Sequence, residues 1–205
     1  MTKTIVIFGA RGGIGAATAT RFAEQGWNVI PITSEYLNFD STQSHYDVAK
    51  LLEQAQADVI VNSVGMFVNG YTDTHHATMN INFGSNWSIV SHYMKIKSPT
   101  RTRIIMIGSS SYTGGRKLHP LYAASKAALY SLWQSARYYF QGSEVAVDLV
   151  NPVRTLTKMA TAGKEIDPNL DYLKPEQVAE EIFKLVESDL PSRCVDITFE
   201  GVIWK

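Results

Sequence analysis

Apolar residues follow two rhythms along this chain. Short runs rich in β-branched residues lie at 4–8, 29–32, 58–61, 103–107, 145–150 and 194–199. Between them lie longer segments, at 13–25, 46–55, 78–97, 122–140 and 176–187, whose apolar positions recur every three or four residues. The first rhythm predicts strands and the second predicts amphipathic helices. A brief extended piece is expected at 36–39. The strand runs show little polar alternation, as strands covered on both faces do. Regular strand–helix alternation then predicts a parallel sheet with right-handed crossovers and helices on both faces, a doubly wound α/β architecture. The stretch 155–172, with Gly163, Pro168 and few apolar residues, reads as a loop rather than a domain boundary.

A chain of 205 residues is read as a single domain spanning 1–205. That length buries a core without disulfides or structural metals. The 19 basic and 19 acidic side chains cancel, which removes the bulk electrostatic argument for a nucleic-acid or anionic-membrane partner. Cys194 is the one cysteine, so neither an intrachain disulfide nor a cysteine-based zinc cluster is expected. His75 and His76 have no third ligand at a recognisable spacing and read as a loop pair, so no metal is expected. The chain starts directly into a strand without the apolar stretch of a signal peptide, and no apolar run reaches the roughly 18 residues of a membrane span. A cytoplasmic location is the expectation. The basic run Lys95, Lys97, Arg101 and Arg103 reads as a solvated helix end.

Two constellations carry chemistry. The first strand runs into Gly9-Ala-Arg-Gly12-Gly13-Ile-Gly15, and a helix follows. Such a turn brings backbone N–H groups and a helix N-terminus against a phosphate. The second is Tyr-x-x-x-Lys. Residues i and i+4 share a helix face, so a phenol and an ammonium converge on one small volume. A free phenol has a pKa of about 10, and a nearby ammonium lowers it toward the range useful for proton transfer. The pattern occurs at Tyr46…Lys50, Tyr93…Lys97 and Tyr122…Lys126, and by itself says little.

Taken together, these residues resemble the short-chain dehydrogenase/reductase family. Gly9, Gly13 and Gly15 match GxxxGxG of its compact, single-domain branch. Gly9, Gly12 and Gly15 match GxxGxxG of its extended branch, but too few residues follow Asn151 for that branch's substrate domain. In the family a serine at a strand end lies thirteen residues before the tyrosine. Ser109 stands there for Tyr122, while Asn80 and Thr33 stand there for Tyr93 and Tyr46, so the other two copies read as solvated helix faces. Asn62-Ser63-Val64-Gly65 resembles the NNAG motif. Asn151-Pro152-Val153-Arg154-Thr155-Leu156-Thr157 resembles the PGxxxT segment that contacts the nicotinamide, with Val153 in place of glycine.

The resemblance implies a Rossmann fold of about seven strands that binds NAD(P). It also implies an oxidoreductase interconverting a carbonyl and an alcohol, or reducing a related unsaturated group. Tyr122 would exchange the proton, and Lys126 would lower its pKa and hold the nicotinamide ribose. Ser109, with Ser110 and Ser111 as neighbours one or two positions on, would polarise the substrate oxygen. Asn82, with Asn80 as rival, would hold a water of a proton relay. Gly9, Arg11, Gly12, Gly13, Ile14 and Gly15 would cradle the phosphates. Asp40 would meet the adenine, and Asn62, Ser63, Gly65, Pro152, Val153, Thr155 and Thr157 would line the rest of the cofactor. NAD-preferring members carry Asp at the end of the second strand. Here Thr33 and Ser34 stand there and Arg11 supplies charge, so NADP(H) is favoured over NAD(H), with Glu35 a competing carboxylate if the register slips.

Met66, Phe67, Tyr112, Leu118, His119 and Met159 are candidates for the pocket wall. The segment between the second strand and the family's fourth is compressed, and the loop over the substrate is short. The aromatic helix bearing Tyr130, Trp133, Tyr138 and Tyr139 would serve both the core and a homodimer or homotetramer interface, as it does in the family. The competing reading is a non-catalytic NAD(P)-binding redox sensor, against which the serine, tyrosine and lysine speak. An epimerase or dehydratase with tightly bound NAD is disfavoured by the missing substrate domain.

Overall fold

The computed structural model describes residues 2–35, 43–68, 70, 74–96, 101–161, 167–188 and 191–205, with side chains from 47 onward in the helix that begins at Gln43. The elements are β1 (Thr4–Phe8), α1 (Gly13–Glu24), β2 (Asn28–Ile32), α2 (Gln43–Ala55), β3 (Val59–Asn62), α3 (His75–Met79), α4 (Ser85–Ile96), β4 (Thr102–Ile107), α5 (Pro120–Tyr139), β5 (Val145–Pro152), α6 (Lys158–Thr161), α7 (Pro175–Glu187), β6 (Cys194–Ile197) and β7 (Val202–Trp204). They form one seven-stranded sheet in the order β2-β1-β3-β4-β5-β6-β7 among the described residues. β1 pairs in parallel with both β2 and β3, so the crossovers change direction at β1 and leave a crevice at the carboxyl ends of the strands.

Alternate strand residues serve two cores. Ile5 and Ile7 of β1 face Phe22 of α1 and Val178, Ile182 and Leu185 of α7. Val6 and Phe8 face Val48 and Leu52 of α2, Ile89 and Val90 of α4, and Leu129 and Trp133 of α5. Each such side chain, fully buried, contributes about 1.5–3 kcal/mol of hydrophobic stabilisation. Apolar residues on both sides of each strand are therefore the direct cause of the doubly wound arrangement.

Five expectations are corrected. The closing strand ends at Ile197, and the chain turns through 198–201 into β7, which pairs antiparallel with β6; the sheet is thus mostly rather than wholly parallel. The helix expected at 78–97 is broken by a π-helical turn at Asn80–Gly84, between α3 and α4. Tyr93, read as solvated, is buried. Arg103 is not at a solvated helix end. It lies on β4 and is buried against Asp148 of β5, with its Nε donating to Asp148 Oδ2 at 2.6 Å. Asp148 Oδ1 also accepts from the Arg193 backbone N–H at 2.7 Å. His75 and His76 belong to the short α3 rather than to a loop. The extended piece at 36–39, Asp40, Lys97, Gly163 and the Tyr46 side chain lie outside the described residues.

Removing one member of a buried ion pair strands the other charge, at a cost of about 3–5 kcal/mol. Arg103→Ala is expected to lower the unfolding free energy by that amount in urea denaturation. A loss below about 1 kcal/mol would show that the Asp148 carboxylate does not depend on this guanidinium.

Candidate active site

The glycine turn is shaped by close backbone approach. Gly9 has φ +78°, a conformation that L side chains rarely adopt. A Cβ on Gly15 would lie 2.2 Å from the Gly9 carbonyl oxygen and 2.5 Å from Ser63 Oγ, so only glycine fits there. Ser63 Oγ donates to the Phe8 carbonyl at 2.8 Å, which ties the end of β3 to the turn. Gly12 is the N-cap of α1 and makes no side-chain cap hydrogen bond, so no side chain of its own occupies the helix N-terminus. Ile14, in the first turn of α1, packs on the core. A Cβ on Gly13 would meet Thr157 Cγ2 at 2.6 Å, so the segment after β5 lies directly against the turn. These backbone cradles fit a bound pyrophosphate.

Beside the turn, Thr33 follows β2 and is buried. Its hydroxyl has no hydrogen-bond partner among the described residues. Ser34 is exposed. Arg11 is not simply solvent-facing: its guanidinium forms an ion pair with Glu35, the carboxylate two residues beyond Thr33.

The reacting groups gather at the carboxyl edge of β3 and β4. Ser109 follows β4, and its Oγ accepts from the Ser111 backbone N–H at 3.1 Å. Pro120 at the start of α5 fixes the helix entry, so Tyr122 and Lys126 fall one turn apart. Lys126 is buried, and its Nζ donates to the Ile107 carbonyl at 2.9 Å and stands 5.7 Å from the centre of the Tyr122 ring. Burial pulls its ammonium down to about 8. The Tyr122 phenol is raised above its ordinary value by burial, with the Ser109 hydroxyl pulling the other way.

Asn82 is fully buried within the π-helical turn. Its Oδ1 accepts from Met66 N at 2.6 Å, and its Nδ2 donates to Met66 O at 2.9 Å and Ser125 Oγ at 2.9 Å. The Asn82 side chain thereby fastens the loop after β3 to α5. Asn80, the rival, is exposed. A Cβ on Gly65 would lie 3.7 Å from Asn82 Oδ1, 3.9 Å from Lys126 Nζ and 3.5 Å from Met159 Cε, so four segments meet around this glycine. Asn62 braces the same corner, with Nδ2 donating to Ser85 Oγ at 2.9 Å and Oδ1 accepting from Val64 N at 3.1 Å.

Pro152 ends β5 and is buried, and Val153 continues the chain with N–H to Ile197 O at 2.9 Å. Thr155 Oγ1 donates to Val153 O at 2.9 Å, and Thr157 Oγ1 accepts from Ala160 N at 3.1 Å. Among the wall candidates, Phe67 packs edge-on to Tyr122 at 5.0 Å and lies 5.1 Å from the His119 ring. Leu118 and Met159 are exposed. Tyr112 points elsewhere, its hydroxyl donating to Asp196 at 3.0 Å. The sequence reading missed the side chains that hold these groups, namely Ser85, Ser125 and the side chain of Asn151. Ser125, within the Tyr122–Lys126 motif, was the one with a local signal.

The buried ammonium has a measurable signature. Its native pKa of about 8 lies below its ordinary 10.5, so between those values the unfolded chain holds more protons than the native protein. Stability from this group accordingly rises with pH across that window and is flat below it. Urea denaturation at pH 8 and pH 10 is expected to show a smaller rise in Lys126→Met than in the parent protein. Equal rises would contradict a buried, titrating Lys126.

The family described as short chain dehydrogenase matches residues 33–167. The 2,3-dihydro-2,3-dihydroxybenzoate dehydrogenase of Escherichia coli (strain K12) is 30% identical over 176 residues, covering 77% of this chain and 71% of that protein. The bifunctional ribulose 5-phosphate reductase/CDP-ribitol pyrophosphorylase of Haemophilus influenzae is 24% identical over 218 residues, covering 97% of this chain; the match spans only 44% of that relative. Among solved structures, BdcA in complex with NADPH shares the fold with a TM-score of 0.80 at 22% identity, over 95% of this chain and 93% of that one. The chain belongs to the short-chain dehydrogenase/reductase family of NAD(P)-dependent oxidoreductases.

Proposed function

We propose that this protein is an NADP(H)-dependent oxidoreductase that interconverts a carbonyl and an alcohol. One observation carries the reading: the Tyr122 phenol, the Ser109 hydroxyl and the Lys126 ammonium gather at the carboxyl edge of the sheet, beside a glycine turn whose helix N-terminus has no side-chain cap. The backbone of Gly12, Gly13, Ile14 and Gly15 would hold the phosphates. Thr33, Ser34 and Arg11 would hold the adenosine side, and Lys126, Tyr122 and the 152–157 segment the nicotinamide side. The NADPH bound by BdcA supports a cofactor of this class. When bound, the cofactor supplies or accepts the hydride.

The remaining work falls to this chain. Ser109 Oγ accepts from Ser111 N–H, so its own proton is directed to a substrate oxygen and stabilises charge there. Tyr122 gives its proton to that oxygen. In the opposite direction it takes the proton back from the alcohol. The Lys126 charge supports the phenolate left behind. Phe67 and His119 cover the phenol on one side and exclude water from it. The unpartnered Thr33 hydroxyl and the Ser34 hydroxyl are donors for a 2′-phosphate, whereas Glu35 weakens the contribution of Arg11. A homodimer belongs to the same reading, supported by exposed Tyr138 and Tyr139 on α5 and Trp87 and Ile96 on α4.

Titration of tryptophan fluorescence with NADPH and NADH, followed by a panel of carbonyl compounds read by nicotinamide absorbance, tests the assignment. Tyr122→Phe is expected to keep NADPH binding and lose about 10²–10⁴-fold in turnover. Unchanged turnover would reject the mechanism, and tight binding without turnover on any compound would favour the redox sensor. Glu35→Gln is expected to raise NADPH affinity relative to NADH by on the order of tenfold, because a charge-assisted partner of Arg11 is removed. An unchanged ratio would exclude the Arg11–Glu35 pair from cofactor choice.

A further inference from the structure

We infer that Asn151 is a positioning residue for Ser109, held in place by Asp196. This rests on the proposed role of Ser109 as the donor to the substrate oxygen. Asn151 lies near the end of β5, beside the β4 end that leads into Ser109. It is buried, and all its side-chain polar atoms are engaged. Its Oδ1 accepts from the Ser109 backbone N–H at 3.2 Å. Its Nδ2 donates to Asp196 Oδ1 at 3.0 Å and to Cys194 Sγ at 3.2 Å. The fit is close: a Cβ on Gly108 would lie 1.9 Å from Asn151 Oδ1, so the residue before Ser109 has no side chain because Asn151 occupies that space.

Asp196 grips the same turn a second time. Its Oδ2 accepts from the Tyr112 hydroxyl at 3.0 Å and pairs with the Lys205 ammonium. Tyr112 lies in the 3₁₀ turn Ser110–Thr113 that begins directly after Ser109, and its ring stacks at 4.7 Å on Tyr130 of α5, the helix that carries Tyr122. One carboxylate on β6 thus fixes the Ser109 backbone through Asn151 and the following turn through Tyr112. The amide at position 151 accepts from Ser109 and donates to Asp196 at once, which an ionised carboxylate could not do. With the backbone pinned, the Ser109 hydroxyl keeps one direction, and misplacing it costs turnover rather than cofactor affinity.

Two measurements test the inference. Backbone amide exchange at Ser109, read by NMR on the protein alone, needs no turnover. Asn151→Ala is expected to speed it at least about tenfold. In carbonyl reduction the same variant is expected to lose roughly tenfold to a hundredfold in kcat, with the KM for NADPH within about twofold. Asn151→Asp separates positioning from packing, because it keeps size and shape. Asp196 and Cys194 face this side chain, and Tyr112 and Lys205 in turn hold Asp196. An aspartate still accepts from Ser109 but sets a carboxyl oxygen, rather than an N–H donor, against Asp196. Asn151→Asp is therefore expected to lose at least about tenfold in kcat as well, with the KM for NADPH again within about twofold. Unchanged Ser109 exchange in Asn151→Ala would overturn the inference, as would an Asn151→Asp variant that keeps the parent's kcat. A parent protein that reduces no carbonyl, yet shows the exchange effect, keeps the tether and rejects the oxidoreductase assignment instead.

Discussion

The arrangement depends on a buried ammonium. Lys126 gives up most of its hydration to reach the Ile107 carbonyl at the end of β4. That cost is met only if α5 is pressed against the carboxyl edge of the sheet. The same contact sets the position of Tyr122 one turn earlier, the approach of Ser109 from β4 and the tight corner around Gly65. A helix that carried only apolar residues at this face could slide along the sheet. One that must deliver a charge to a carbonyl cannot.

The supporting hydrogen bonds share a logic. Asn62, Asn82 and Asn151 each stand at a strand end or a helix irregularity, and each uses its amide both to accept and to donate. Backbone groups freed where strands stop are expensive to bury unpaired. Amide side chains satisfy them while joining segments distant in sequence. The π-helical turn at Asn80–Gly84 belongs to this pattern, because the wider turn accompanies the inward placement of Asn82 between the loop after β3 and α5.

Much of this could be read from residues alone. Strand and helix positions followed from β-branched runs and helical periodicity. Tyr122, Lys126 and Ser109 were singled out because a helix repeat and a strand end are local features. What escaped is long-range. Arg103 looked like one more cation after a helix, since nothing near it in sequence announces Asp148, 45 residues on. Glu35 was noticed, but its pairing with Arg11 depends on how two strand ends sit side by side. β7 was missed because a three-residue antiparallel strand has no periodicity to detect.

The central claim is that a substrate oxygen is held jointly by Tyr122 and Ser109 while a hydride moves. A crystal structure of the protein with NADPH and an unreactive amide analogue of a carbonyl substrate tests it most directly. The account predicts the Tyr122 hydroxyl and Ser109 Oγ both within about 3 Å of the analogue's oxygen, next to the nicotinamide ring. A phenol still enclosed by Phe67 and turned from the ligand, with NADPH fully ordered, would contradict it.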